Sequence, residues 1–498
     1  DTQKKGPRCG RVKYLLAVPM LGFDSSKTNG QDLGVKMRSL LGMLTRLAVR
    51  HDVDVCLVST NTVKLAAAQS CRRAEYVWHD LSSVLQEKGK RLANLAKLGR
   101  LAVFVGGGMA RMTGAPNWKD ALIRVAIDCG FSTDEVGELQ RLQPKDIAQL
   151  LEARCGRADT VRQVLRYLDP AGAVGLVHCI LASLPVNEYV CASFDSMLTR
   201  ASALAEKDGD KRIGVMPYEA TRRWQLALNG HADFVDSISL TGNTSNKPAT
   251  ASSGVVQALL LTKHVLFLGF RLQSDDTMHA ILDSVQRARS GGGEGCGRES
   301  GMNEGGQEGH GGGDTDQDNT VESGRDGGGG GGRAGEDGDG YHAGGDAVFS
   351  EELNSTLLQR LPNTLERELW KQINTITLEP HVSGQREGAR TPNGGTTSPH
   401  SADDEMLLKQ HASRRLEILL DFIALYSRLF SSHVLNGSYQ GHLSPKEKDL
   451  IHHLEVLVGA MRREMPDTNA ACSSPSSSGI ATRVVHMLDR MFRRIGLV

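Results

Sequence analysis

The chain has 498 residues, more than one ordinary domain holds, and is 39% hydrophobic and 23% charged, an average globular balance. Lys plus Arg and Asp plus Glu each number 58, so nothing in the charge points to nucleic acid or an anionic membrane as a main partner. Apolar stretches such as HVLFLGF at 264–270 fall far short of the ~20 residues that a membrane-spanning helix needs.

The polar start DTQKKGPRCGRVK is followed by YLLAVPML, without the small-residue cleavage site of a signal peptide. The first residue is Asp rather than Met, so a fragment or processed chain is expected. Nine cysteines are irregularly spaced and none forms a CxxC pair. That pattern predicts a reducing, cytoplasmic setting and argues against a structural zinc ribbon.

Residues 14–21 predict a short apolar strand, 35–50 a helix, 53–58 a second strand, and the Ala-rich 63–73 another helix ending in Arg. A helix is predicted at 79–98, and the apolar run at 101–107 reads as a buried strand leading into a glycine turn. Helical patterns dominate 117–184. Strands are predicted at 188–193, 212–216, 224–228, 237–240 and 264–269, separated mostly by helices. Such alternation implies a parallel sheet covered on both faces.

Nearly half of the chain's 56 glycines fall between 290 and 345, mixed with Asp, Glu and Ser. A segment of that composition buries too little apolar area to offset its ordering entropy, and a disordered insertion is expected at 291–345. A second polar break covers 383–402. Helices follow at 404–432 and 444–464, then a Ser-rich linker at 473–478 and a last amphipathic helix at 480–495.

Four segments carry chemistry. In LAVFVGGGMARMTGAPNWKDAL (101–122), an apolar strand runs into Gly106, Gly107 and Gly108. A second turn, Gly114-Ala115-Pro116, then opens a helix. Glycines after a strand let backbone N–H groups approach a pyrophosphate, and a helix N-terminus favours its charge. The plainer reading is a tight turn of any α/β fold.

In EYVCASFDSMLTRA (188–201), Ser193 and Asp195 stand at a strand's carboxyl end, the edge where open α/β sheets bind ligands. Taken alone, either residue more often serves as a helix N-cap. In RRWQLALNGHADFVDSISLTG (222–242), Asn229, Gly230 and His231 follow a strand. A histidine there suits a general base, though a lone loop histidine is more often simply solvated. In TKHVLFLGFRLQSDD, a buried strand ends at Gly269, followed by Arg271 and the paired acids Asp275 and Asp276, which also suit a helix start.

In this order the four segments resemble the sirtuin-like domain of bacterial NAD-cleaving and defence proteins. GAPNW matches the family's Gly-Leu/Ile-Pro-Ser-Trp turn, CASFD its Thr-Thr-Asn-Tyr-Asp, LNG and SISLT its Leu-His-Gly and following strand. LFLGFR with SDD matches its Leu-Phe-Ile-Gly-Phe-Ser and acidic turn.

The resemblance implies an α/β fold with a Rossmann-like parallel sheet at 79–290, and leaves open its continuation through 346–382. A partial macro-domain-like α/β module (1–78) would precede it and a C-terminal helical region (404–498) would follow. NAD is the implied ligand, with ADP-ribose as the related one. Gly106, Gly107, Gly108, Gly114, Pro116, Gly230, Gly269 and Arg271 would line the dinucleotide, with Ser193, Asp195, Asn229 and His231 at the reacting end. Nucleic acid and membrane are not expected partners, and a homo-oligomer is left open.

The family's catalytic positions look altered. Ser193 stands where the family has the Asn that positions ribose and a water. Asn229 stands where its His acts as base, and Asn takes no proton near neutral pH. Met109 and Arg271 replace serines. His231, two residues beyond, is an alternative base. Without the four-cysteine zinc module of protein deacetylases, deacetylation is not expected; the implied reaction is hydrolysis of the nicotinamide–ribose bond, weakened or lost. The alternative is a non-enzymatic scaffold or oligomer-forming protein on the same fold.

Overall fold

A computed structural model describes residues 7, 11–20, 22–23, 32–169, 174–204, 212–219, 221–228, 231–234, 238, 240, 249–270, 356–359, 374–378, 402–434 and 436–464. The expected insertion at 291–345, most of the break at 383–402, the Ser-rich linker and the helix at 480–495 lie outside the described residues. So do Asn229, Gly230, Arg271, Asp275 and Asp276.

The N-terminal part follows the sequence pattern closely. β1 (Tyr14–Pro19) pairs in parallel with β2 (Val53–Val58), with Tyr14 opposite Val53. Between them runs α1 (Leu33–His51), whose N-cap Asp32 accepts the Gly34 N–H at 2.8 Å. α2 (Thr62–Glu75) starts at the Asn61 cap and ends with Arg72 and Arg73, where cations complement the helix dipole.

α3 (Ser83–Lys97) leads into β3 (Leu101–Val105). Four helices follow: α4 (Trp118–Asp128), α5 (Thr133–Leu139), α6 (Pro144–Cys155) and α7 (Arg157–Leu168). Then come α8 (Leu176–Ser183), β4 (Glu188–Cys191), α9 (Met197–Leu204), β5 (Ile213–Met216), β6 (Arg223–Ala227), α10 (Ala249–Thr262) and β7 (His264–Leu268). β8 (Thr356–Gln359), β9 (Asn374–Thr377), α11 (Ala402–Ser427) and α12 (Pro445–Glu464) complete the described elements.

The main sheet has seven strands in the order β5-β6-β4-β3-β7-β8-β9, and every neighbouring pair is parallel. This is the expected α/β fold with a Rossmann-like parallel sheet. Alternation along the strands explains why it needs helices on both sides. Val103, Val105, Tyr189, Cys191, Leu266 and Leu268 face one core with α3, α8, α9 and α11. Ala102, Phe104, Val190, Val265 and Phe267 face the other, under α10. The chain goes from β3 to β4 on one side and later returns to β7 on the other, so the strand order reverses at the β3–β7 pair. In open α/β sheets, ligands bind at that reversal, beyond the strands' carboxyl ends.

Of the strand predicted at 237–240, only Ile238 and Leu240 are among the described residues. Both lie outside any strand, and their buried side chains complete the core between α4, α6 and α7. Packing against the helices, with Arg157 donating to the Ile238 carbonyl at 2.8 Å, overrides the local β pattern. Conversely, β8 and β9 were not predicted as strands.

α11 joins the two sheets. Its Phe422 packs edge-on against Trp78 at 5.0 Å and over Gly89 of α3, where a Cβ would fall 2.8 Å from the ring. Arg414 pairs with Asp54 of β2 and with Asp80, both at 2.9 Å. Arg11 bridges Asp54 and Glu417, and Arg72 meets Asp421 at 2.6 Å. At the amino end of the sheet, the buried Arg223 guanidinium donates to the carbonyls of Ala182, Leu184 and Val186 and to the Tyr189 hydroxyl. The first two lie at the C-terminus of α8, where a cation is favoured.

Candidate functional site at the carboxyl edge of the sheet

The loops that follow β3 and β7 lie against each other at the strand-order reversal. The Gly106 N–H donates to the Leu268 carbonyl at 2.8 Å, and the Gly108 N–H donates to the Gly269 carbonyl at 3.0 Å. A Cβ on Gly106 or Gly108 would fall 2.5 or 2.7 Å from that Gly269 oxygen, and Gly269 itself has φ +67. Three of the glycines singled out in the sequence are therefore demanded by backbone approaching backbone. Gly107 differs: among the described residues nothing lies within 4 Å of its would-be Cβ, and Gly107 is exposed at the tip of the turn.

Beyond the turn, Ala110–Thr113 form one 3-10 turn closed by Gly114 at φ 88. Past Pro116, Asn117 caps α4 by accepting the Asp120 N–H at 2.8 Å. The N-terminus of α4 thus opens directly from this loop, as the motif predicts. The Thr113 methyl group packs against Gly175, where a Cβ would fall 2.2 Å from it, just before α8.

Ser193 and Asp195 stand one strand over, past β4, and both are buried, at 9% and 6% exposure. Asp195 accepts the Met197 N–H at 3.1 Å, so this carboxylate does cap the start of α9. It also has neighbours that the sequence motifs did not include. His178 of α8 is 1% exposed, and its Nδ1 has no hydrogen-bond partner among the described residues. Burial pushes its imidazole below the usual value, while the Asp195 charge pulls the other way. Asp169, which ends α7, accepts the Ser196 hydroxyl at 2.8 Å and pairs with Arg200. Burial raises the Asp169 carboxyl above its ordinary range, against that hydroxyl and guanidinium.

His231 is not a solvated loop histidine. It is fully buried, and its Nδ1 accepts the Asp233 N–H at 3.2 Å. Burial pushes its pKa down, opposed by the charges of Asp233, Asp195 and Asp169. The Ala232 N–H donates to the Phe194 carbonyl at 2.9 Å, which ties the His231 turn to the Ser193–Asp195 segment. The structure therefore brings Ser193, Asp195 and His231 to one edge and adds His178, Asp169 and Arg200. His178 was detectable only as a single histidine in the apolar run VGLVHCILASL; Asp169 carried no signal of its own.

Aromatic rings border this edge. Trp118 lies 5.0 Å from Phe194, and Tyr218 stacks on Phe234 at 4.0 Å with planes 17° apart. Among the described residues, no cluster of three or more His, Cys, Asp or Glu could hold a metal ion. The described cysteines Cys56, Cys71, Cys129, Cys155, Cys179 and Cys191 are free thiols. No described helix is long and apolar enough to cross a membrane.

No family model matches the chain. Among curated proteins it is similar to the NAD(+) hydrolase ThsA of Acinetobacter baumannii, with 24% identity over 192 residues, 37% of this chain and 39% of the relative. It is also similar to the NAD(+) hydrolase ThsA of Enterococcus faecium, with 25% identity over 209 residues, 40% of this chain and 42% of the relative. The chain thus spans about two fifths of the length of these relatives.

Proposed function

We propose that the seven-stranded domain is sirtuin-like and binds NAD, or the ADP-ribose part of it, at the carboxyl edge of the sheet. The observation that carries this reading is the join of the β3 and β7 loops at the strand-order reversal. There Gly107 is exposed at the tip of the turn and α4 begins close by. A dinucleotide's pyrophosphate suits such a glycine turn beside a helix N-terminus. The likeness to two NAD(+) hydrolases supports the same ligand class.

The implied reaction breaks the nicotinamide–ribose bond and gives the ribose to water. In that reaction Asp195 and the Ser193 hydroxyl would orient ribose or water, and a base would take the proton. Asn229 cannot serve as that base. His231 is neutral near pH 7 and so able to accept a proton, but its burial leaves it a weak base without access to water. The proposal is therefore binding with slow or absent hydrolysis. A scaffold role is the second reading. It is favoured by the Gly106 and Gly108 N–H groups, which donate within the protein rather than outward.

Thermal unfolding with NAD and with ADP-ribose separates the two readings. A ligand at one hundred times its Kd adds about 2.7 kcal/mol of stability. A clear upward shift with either ligand supports the binding reading, and no shift at millimolar concentrations supports the scaffold.

A further inference from the structure

We infer that Tyr218, backed by Phe234, forms a stacking subsite for the planar ring at the end of the ligand remote from the glycine turn. This rests on the dinucleotide reading above and names the part of the ligand that reaches furthest along the sheet.

The placement follows from the topology. Tyr218 lies two residues beyond β5, and Phe234 lies in the turn after β6, so both stand at the carboxyl edge. β5 is the outermost strand on its side, three strand spacings from β3 through β4 and β6. At roughly 4.8 Å per spacing this is about 14 Å along the edge. Because the Tyr218 ring lies on Phe234 of the turn after β6, it reaches back to about two spacings, ~10 Å, from β3, the order of the distance between a pyrophosphate and either ring of an extended dinucleotide. With the pyrophosphate held at Gly107 and the ribose near Ser193 and Asp195, a ring lying outward along the edge arrives over β6 and β5.

The local construction suits a flat ligand. The His231–Phe234 turn is closed by the Phe234 N–H donating to the His231 carbonyl at 2.9 Å, which fixes Phe234 under Tyr218. The Tyr218 ring lies parallel on Phe234, at 4.0 Å between centroids, yet remains 51% exposed. An aromatic ring pinned on one side and half in water offers a flat apolar surface at little ordering cost. A heteroaromatic ring gains from stacking on such a surface. The turn continues inward through His231, 6.1 Å from Phe234, and through the Ala232 N–H, which donates to the Phe194 carbonyl at 2.9 Å. It thereby links the outer platform to the buried polar groups.

The subsite predicts that NAD and ADP-ribose respond differently to its loss, because only NAD carries the pyridine ring. Calorimetric titrations of the full chain and of Tyr218→Leu and Tyr218→Trp, each with NAD and with ADP-ribose, make the test. Tyr218→Leu should weaken NAD about tenfold and change ADP-ribose less than twofold, whereas Tyr218→Trp should retain NAD affinity. Unchanged melting temperatures verify that the variants are folded. Equal losses for both ligands, or no loss for NAD, would overturn the subsite while leaving the dinucleotide reading in place. If the unaltered chain binds neither ligand, the dinucleotide reading fails and the subsite fails with it.

Discussion

The Cα of Gly106 and the carbonyl of Gly269 stand so close that an alanine Cβ at position 106 would sit 2.5 Å from the carbonyl oxygen. Both partners are backbone, so neither yields by a rotamer change. Gly106→Ala should cost about 1–3 kcal/mol by overpacking, and Gly269→Ala should cost at least as much because its φ of +67 is also lost. Gly107→Ala should fall within about 0.5 kcal/mol of the parent. Urea denaturation of the three variants checks the order; an equal effect at all three positions contradicts the geometry.

The same contrast makes Gly107 the position at which to test ligand contact. Gly107→Glu adds a carboxylate at an exposed position, so the fold should persist. NAD and ADP-ribose binding should both fall by tenfold or more, since the added charge opposes a pyrophosphate. A folded variant with undiminished affinity for both ligands excludes this turn as the phosphate site.

Glu447 provides the acid dependence. It faces His433 at 3.5 Å, accepts the Ser444 N–H at 2.8 Å, and receives the Ser444 hydroxyl at the start of α12. The His433 contact and these caps hold its carboxyl down to about 2, outweighing the opposing effect of burial. Because the folded value lies below the unfolded one, near 4.3, its stabilisation is complete above that value. It is lost as pH falls toward about 2. Glu447→Gln should reduce stability by about 1 kcal/mol at pH 7 and flatten the acid limb of stability against pH. Parallel parent and variant curves between pH 5 and pH 2 would falsify the assignment.

Turnover tests the altered reacting end. The chain should hydrolyse NAD slowly or not at all, since a missing base typically removes ~10²–10⁴-fold of rate. The double replacement Ser193→Asn with Asn229→His should raise turnover, read as released nicotinamide. His231→Ala separates the routes. A fast parent enzyme that this change silences makes His231 the base, whereas a fast parent that it leaves intact removes both histidine positions from the mechanism.

Most of the central sheet was legible because its strands are buried on both faces and read as unbroken apolar runs bounded by glycine, as in LAVFVGGG and HVLFLGF. β8 and β9 were not, because TLLQ and NTIT are four-residue segments at the far side of the sheet with polar residues among them. The SISL segment misled for the opposite reason: its apolar alternation serves helices packed beside it.

At the site, the strand–glycine–helix order pointed to the carboxyl edge of the sheet, where the loops after β3 and β7 meet. It could not reveal that Gly106 and Gly108 spend their N–H groups on the β7 loop, because the acceptors lie some 160 residues away in sequence. Nor could it find His178 or Asp169, whose importance arises only where α7, α8 and α9 converge on Asp195.

The position of α11 has a consequence for the order of events during synthesis. Leu416, Leu419, Leu420, Phe422 and Ile423 of this helix fill the core beneath α3 and α8, while Arg414 and Asp421 hold the N-terminal strands and helix α2. A ribosome delivers these residues long after β1 to β7 have emerged. Until then one face of the sheet and the inner side of the N-terminal layer present uncovered apolar surface. The late helix works like a keystone: the first-made parts of the chain wait for an element made near its end. Nascent chains truncated before residue 402 should therefore depend on chaperones more strongly than their length alone would require.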